Sequence, residues 1–238
     1  MTPTTAASPQ ALSSTATVAP PALLHTLQPA AEERWAKSDK VLHRLSKKTP
    51  LNPDPPIAKD DGFATLVTSI VHQQVSMAAA RTIHGRLVTT LGGKVTPRRV
   101  LARTPEQLRE AGLSRSKAAF ILDLADKTQR KEVEFERFPA MTDEAILAEL
   151  TAVKGIGLWT AKMFLIFHLH RPDVLPVEDL GLKLAVSETY GVPPEMAAQV
   201  MAEHRELWSP YCSVASRVLW QSRRATLPPS KPKKAKGK

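Results

Sequence analysis

The sequence predicts an all-α fold, on three observations. Apolar residues recur at three- and four-residue intervals through most of the chain. No segment holds a convincing period-2 alternation, and no Asn-Gly or Asp-Gly pair sits between alternating runs as a hairpin turn. Ser or Thr stands just ahead of several apolar runs, where a helix needs an N-cap.

In chain order, residues 1–24 are Thr, Ala, Ser and Pro with almost no charge, and a disordered lead-in is expected there. Order is expected from near Pro29, with residues 30–45 placing Trp35, Val41, Leu42 and Leu45 at helical spacing. The Pro-rich residues 49–58 read as a linker or a loop over the surface. Phe63, Leu66, Val67, Ile70 and Val71 then fall at i, i+3, i+4, i+7 and i+8 of an amphipathic helix. Gln73, Gln74 and Val75 interrupt it. Ser76 can cap a second helix, with Ile83, Leu87, Val88 and Leu91 inward and Gly92-Gly93 as its end. Thr104-Pro105-Glu106-Gln107 has the form of a capping box, and Gly112 closes the short helix that follows. Ser114 or Ser116 starts another, burying Phe120, Ile121, Leu124 and Ala125. Thr142 opens a helix with Ile146, Leu147 and Leu150, and Asp143 and Glu144 sit where its N-terminus is positive. Two last helices are expected over 194–207 and 210–223, and the Lys-rich tail from Pro228 reads as disordered. No internal repeat is visible.

The 238 residues suffice for one large domain or two small ones, and 42% apolar content is adequate for a core. Lys and Arg number 33 against 23 Asp and Glu, a net charge of +10. Such an excess favours a polyanionic partner but does not by itself separate nucleic acid from an anionic membrane. The single cysteine, Cys212, excludes within one chain a disulfide framework, a Cys-ligated zinc site and a four-Cys iron–sulfur cluster. It reads as a small core residue in a reducing compartment. No apolar run approaches the ~20 residues of a membrane span. The N-terminus lacks a secretory pattern. A cytoplasmic protein is expected, nucleoid-associated in a bacterium or nuclear in a eukaryote.

The chemistry concentrates in residues 150–181, LTAVKGIGLWTAKMFLIFHLHRPDVLPVEDLG. Val153-Lys154-Gly155-Ile156-Gly157 joins two helices as a helix–hairpin–helix. The glycines permit a tight turn and leave backbone N–H groups bare at the next helix N-terminus. Such an end receives a phosphate oxygen, and Lys154 adds charge. An ordinary αα-corner has the same local pattern. The hairpin alone therefore explains binding to a nucleic-acid backbone and no activity. His168 and His170 diverge on a helix and lack a third ligand, so metal binding there is not expected.

The ordered combination Gly155-Ile156-Gly157-Leu158-Trp159-Thr160-Ala161, then Glu178-Asp179 one connection later, resembles the signature of the alkylbase DNA glycosylases. These belong to the helix–hairpin–helix glycosylase superfamily, and the pattern is most similar to the DNA-3-methyladenine glycosylase II type. The resemblance extends into SIVHQQVSMAAA, LSRSKAAFILDLA and WSPYCSVASRVLW, so it covers residues 63–224. Leu175 departs from it, standing where the signature usually has Phe or Met.

The resemblance implies a glycosylase fold of two helical subdomains flanking a cleft. One is a central barrel over residues 62–165. The other combines residues 25–61 with 166–224. The extra N-terminal α/β domain of longer relatives is expected to be absent. Asp179 falls on the catalytic carboxylate. N-glycosidic cleavage builds oxocarbenium character on the sugar, which an anion stabilises, and an alkylated cationic purine already leaves easily. An acid at a helix N-terminus is the plainer reading of Asp179. Glu178 is the neighbouring candidate, but adjacent helical side chains diverge by about 100°, so only one is expected to face the sugar. Strand-cutting relatives carry a lysine where this chain has Trp159, which implies no lyase step. Trp159 and Trp220 match aromatics lining the base pocket, where a cationic base stacked on an indole gains ~1–2 kcal/mol when desolvated. Met163 and Leu180 are expected to add pocket wall.

Gln74 matches the residue that wedges into the stack vacated by the flipped nucleotide, although it also simply breaks one helix before Ser76 starts the next. Lys154, Gly155, Gly157 and Thr160 are the expected phosphate-binding group. By position, the main-chain carbonyls of Thr151, Val153 and Ile156 would hold a monovalent cation, Na+ or K+. No cofactor is otherwise required and no iron–sulfur cluster is expected. The partner is double-stranded DNA bearing alkylated bases, bound by a monomer, with the basic tail adding salt-sensitive affinity. A non-catalytic DNA-binding module, or a glycosylase of this fold for another lesion, remains open at this point.

Overall fold

The computed structural model describes residues 22–54 and 62–226, and among them there are helices and turns but no strand. Most of the lead-in, residues 55–61 of the Pro-rich segment, and the basic tail lie outside the described residues. A 3-10 turn, Leu24–Leu27, comes first. Helices α1 (Gln28–Ser38) and α2 (Lys40–Lys48) follow where one helix over 30–45 was expected. Leu24, the last residue of the expected lead-in, is fully buried instead.

Asp39 causes the break. Its backbone is extended at φ −148°, and Oδ1 caps α2 by accepting from the N–H groups of Val41 and Leu42, both at 3.0 Å. Oδ2 accepts from the Tyr190 hydroxyl at 2.5 Å and from Trp208 Nε1 at 2.9 Å. Burial alone would raise this carboxyl's pKa. The donors outweigh it and hold Asp39 below the ordinary carboxylate range. Within this register Val41 is exposed and Leu42 buried.

Residues 49–54 are no surface loop. Leu51 is buried, with its N–H on Gln28 Oε1 at 2.7 Å, and Gln28 Nε2 reaches the carbonyls of Ser46 and Thr49 at 3.1 Å. Gln221 clasps the same strap by donating to the Pro50 carbonyl at 2.5 Å and accepting from the Asn52 N–H at 3.1 Å.

The middle of the chain supplies α3 (Gly62–His72), α4 (Met77–Thr90), α5 (Pro97–Leu101), α6 (Pro105–Glu110), α7 (Arg115–Gln129), α8 (Asp143–Thr151) and α9 (Leu158–Phe167). Sequence periodicity missed α5 and the 3-10 turn Phe135–Ala140, which are too short to show a repeat. The Thr104–Gln107 capping box forms in both directions, and Ser114, not Ser116, caps α7. Helix α10 (Leu180–Tyr190) ends at a left-handed Gly191. A 3-10 turn, Pro194–Met196, then leads into α11 (Ala197–Trp208). The last helix, α12 (Cys212–Thr226), starts two residues later than expected, past a cis Ser209–Pro210 bond.

Helices α3 and α7 form the centre of one packing group, with α4, α5, α6 and α9 against them and α8 on α9. Helices α1, α2, α10, α11 and α12 form the other. One apolar core runs through both, from Trp35 and Leu42 to Leu66, Ile121 and Phe164. Cys212 is fully buried in it, and burial pushes its thiol pKa far up, as befits a core residue and not a nucleophile. The two groups meet where the chain leaves α9 and returns into α10, and the candidate residues gather there.

Candidate active site

The hairpin between α8 and α9 is anchored from inside by Val153 and Ile156, both buried. Gly155 has φ +80°, and a Cβ there would run into the ring of Phe120 on α7. Backbone angle and close approach thus both require glycine. Gly157 is the N-cap of α9 and offers no side chain, so the first N–H groups of α9 have no side-chain cap. Among them is Thr160, whose side chain is buried, so it offers its N–H at this end of the helix. Lys154 donates its N–H to Asp123 Oδ2 at 2.9 Å, and its Nζ lies 3.5 Å from Oδ1. The lysine side chain is 74% exposed, so this pair is weak.

Helix α9 carries Trp159 and Met163 on one face, four residues apart. The chain then returns so that Asp179 becomes the N-cap of α10. Its Oδ1 accepts the Leu182 N–H at 2.6 Å and the Trp220 indole N–H at 2.9 Å. Its Oδ2 accepts the Trp159 indole N–H at 2.8 Å. The plainer reading of Asp179 as a helix cap is what the structure shows. Both candidate aromatics converge on it through their N–H edges. Glu178 points elsewhere, to Lys162 Nζ at 2.9 Å. One acid of the pair faces the cleft.

Around Asp179 lies a hollow of about 570 Å³ walled by Met163, Phe167, Trp220 and Gly181, with the strap residues Asn52 and Asp54 on its far side. Trp220 is stacked on Phe167 at 5.8 Å and 26° between planes. Asp54 anchors the strap. Its carboxylate takes the His25 N–H at 2.9 Å and the Arg217 guanidinium. Burial opposes ionisation of Asp54, and these donors outweigh it, holding the carboxyl below its usual range.

A second hollow of about 490 Å³ lies beyond Trp159, lined by Thr68, His72, Gln73, Gln74 and Met163. Trp159 and Met163 line its near side, and Met163 borders both hollows. Gln74 is exposed on a left-handed turn at φ +55°, as a residue that breaks a helix must be, and it faces this second hollow. Another depression of about 520 Å³ involves Val41, Arg44 and Glu188 and contains none of these groups.

Leu180, expected in the pocket wall, is 69% exposed and lines neither hollow, whereas Gly181 lines the first. Phe167 was overlooked, although it continues the Trp159, Met163 spacing by four more residues. Asn52, Asp54 and Arg217 carried no local signal, since the strap and α12 meet only in the folded chain. Of the three hairpin carbonyls, Val153 already accepts the Ile156 N–H at 3.1 Å.

Residues 67–210 match the HhH-GPD superfamily base excision DNA repair protein family. The chain is 30% identical to a Bacillus subtilis (strain 168) relative over 67% of its own length, and spans 58% of that relative. A Bacillus halodurans structure described as a DNA-3-methyladenine glycosidase superposes with TM-score 0.73 at 32% identity, covering 82% of this chain and 88% of the other. A Schizosaccharomyces pombe 3-methyladenine DNA glycosylase solved with abasic DNA superposes with TM-score 0.71 at 27% identity, covering 82% and 97%. The hairpin, Trp159, Met163, Phe167 and Asp179 fall within the matched span, and Trp220 lies beyond its end. The chain therefore belongs to the HhH-GPD superfamily of base excision DNA repair proteins.

Proposed function

We propose that this protein is a monofunctional DNA glycosylase that flips alkylated, cationic purines such as 3-methyladenine out of double-stranded DNA and hydrolyses the N-glycosidic bond. The observation that carries this reading is the Asp179 carboxylate, fixed by two indole N–H groups in an aromatic-walled cleft. An anion held there faces the positive charge that grows on the deoxyribose as the bond lengthens. It is already oriented, so little reorganisation is needed at the moment of reaction. The bonding pair leaves with the base, which loses its positive charge. Water then adds to the sugar carbon, and its proton is lost to solvent. The product is an abasic site and a free base.

Selectivity follows from charge. The faces of Trp159 and Trp220, with Phe167 behind, favour a cationic ring over a neutral one, while Met163 adapts to its outline. Gln221 is occupied clasping the strap and Arg217 is occupied by Asp54, so neither is free to read a base edge.

The absence of strand cleavage rests on the same helix. The lysine of α9, Lys162, is tied to Glu178 at 2.9 Å and to the Leu175 carbonyl at 3.2 Å, so it is engaged away from the sugar. Trp159 offers no amine for a covalent imine. The bare N-terminus of α9 with Lys154 binds the DNA backbone, and Gln74 fills the gap in the stack. Thr151, Val153 and Ile156 supply uncharged carbonyl oxygens, a donor set suited to Na+ or K+. Such an ion would add positive charge beside the phosphate. The protein acts as a monomer.

A panel of duplexes, each with one alkylated, etheno or deaminated base, tests the reading when abasic sites are revealed by alkali. Cationic purines should be excised and no borohydride-trapped adduct should form. A trapped adduct, or excision confined to neutral bases, contradicts it.

A further inference from the structure

Helix α7 buries an ammonium group that the reaction does not use. Lys117 is 9% exposed, and burial lowers its pKa with no carboxylate contributing. Uncompensated burial of a cation is expensive, so its partners matter. Nζ donates to the carbonyl of Val71 at 2.8 Å and to that of Gln73 at 2.7 Å. These carbonyls lie at the C-terminal end of α3, where a helix has unsatisfied acceptors and partial negative charge. The next residue, Gln74, is left-handed at φ +55°, a conformation that disfavours any side chain with a Cβ. Gln73 meanwhile reaches across with Nε2 to the Gly155 carbonyl at 2.9 Å. The turn before α4 is therefore held from below by Lys117 and from the side by the hairpin.

The same helix holds the hairpin. One turn on, the Phe120 ring fills the space left by the missing Cβ of Gly155. One turn further, Asp123 accepts the Lys154 N–H at 2.9 Å. Lys117, Phe120 and Asp123 follow each other at i, i+3 and i+6, about 9 Å of helix rise in all.

We propose that Lys117 is a positioning residue for base flipping: it makes α7 a platform that fixes the Gln74 turn at a set distance from the phosphate-gripping hairpin. This rests on the reading of Gln74 as the wedge. DNA held by the hairpin then meets Gln74 at one register, and flipping depends on an ammonium that never touches the nucleic acid.

The test compares full-length wild type, Gln74→Ala, Lys117→Met and Lys117→Arg on one lesion that the wild type excises. The lesion is presented in a paired duplex and again in an unpaired bulge, where little flipping work remains. 2-Aminopurine beside the lesion reports unstacking. We expect Lys117→Met to slow duplex excision by about tenfold or more and to lose the fluorescence rise. Its excision from the bulge should stay within about threefold of wild type. Lys117→Arg should recover part of the loss, since a guanidinium can also donate to both carbonyls. A further variant carrying both Gln74→Ala and Lys117→Met should be no worse than Gln74→Ala alone.

If Gln74→Ala is impaired on the duplex but Lys117→Met is not, the role of Lys117 is refuted and the wedge survives. If Gln74→Ala behaves as wild type, the wedge reading fails and the proposal with it. Equal losses of Lys117→Met on duplex and bulge mean a merely structural lysine and also overturn it. Should Lys117→Met not fold, Gln73→Ala, which cuts only the tie to Gly155, must give the duplex-specific loss, and its failure to do so refutes the platform.

Discussion

Replacing Trp159 by Phe separates the two things this indole does. Phe keeps an aromatic face for stacking and deletes the N–H that holds Asp179 Oδ2 at 2.8 Å, the protein donor on that oxygen. A hydrogen bond to a charged group contributes ~1.5–3 kcal/mol net. Trp159 is 45% exposed, so water replaces part of the bond, and the loss falls near the lower bound. About 1.4 kcal/mol corresponds to a tenfold slower reaction. Trp220→Phe removes a donor from Oδ1, but Oδ1 keeps the Leu182 N–H at 2.6 Å, so a smaller effect, about threefold, is expected. The assay is single-turnover excision with enzyme in excess, on duplexes holding either a cationic 7-methylguanine or a neutral hypoxanthine. Loss of carboxylate orientation slows whichever of these the wild type excises by a similar factor. Loss of stacking slows the cationic base more. A wild-type rate for Trp159→Phe, or a defect confined to the cationic lesion, would refute the clamp.

Two further outcomes follow from the fold. Gly155→Ala must place a Cβ against the Phe120 ring at φ +80°, which costs ~1–2 kcal/mol in backbone strain before the clash is counted. Thermal denaturation should show a lowered midpoint and a duplex-binding assay a weakened affinity; unchanged values in both would mean the hairpin is laxer than described. Asp39 is held below its ordinary pKa by Tyr190, the Leu42 N–H and Trp208, against the opposing effect of burial. Its contribution to stability is fully present above the unfolded carboxyl pKa of ~3.9 and is lost as pH falls through the folded value. The stability gap between wild type and Asp39→Asn, measured by urea unfolding, should therefore hold near neutral pH and shrink below about pH 4. A gap that persists undiminished at pH 3 contradicts the assignment.

The parts of the site that sequence made legible are those with local chemistry. A Gly-x-Gly turn, an acid at a helix start and an aromatic one helical turn before a methionine can each be read within a dozen residues. What could not be read is how they bind one another. The indoles that hold Asp179 lie 20 and 41 residues from it along the chain. Asp39 is itself a favoured N-cap residue, but the break there is stabilised by Tyr190 and Trp208, 151 and 169 residues away, which no local pattern shows. Leu180, expected in the wall, is 69% exposed instead. Gly181 occupies the wall because a larger side chain would crowd Asp179 Oδ1 and Trp220.

The most direct test of the account is Asp179→Asn. Asn caps a helix as well as Asp does, so the α10 cap should persist and the thermal midpoint should stay close to wild type. The negative charge facing the sugar is lost, together with the acceptor that Oδ2 offers the Trp159 N–H, since an amide NH2 cannot accept it. Single-turnover excision of an alkylated purine, read as alkali-labile sites, should fall by at least ~100-fold, while affinity for the damaged duplex is retained. Excision by Asp179→Asn at the wild-type rate would contradict the central claim that this carboxylate drives the cleavage.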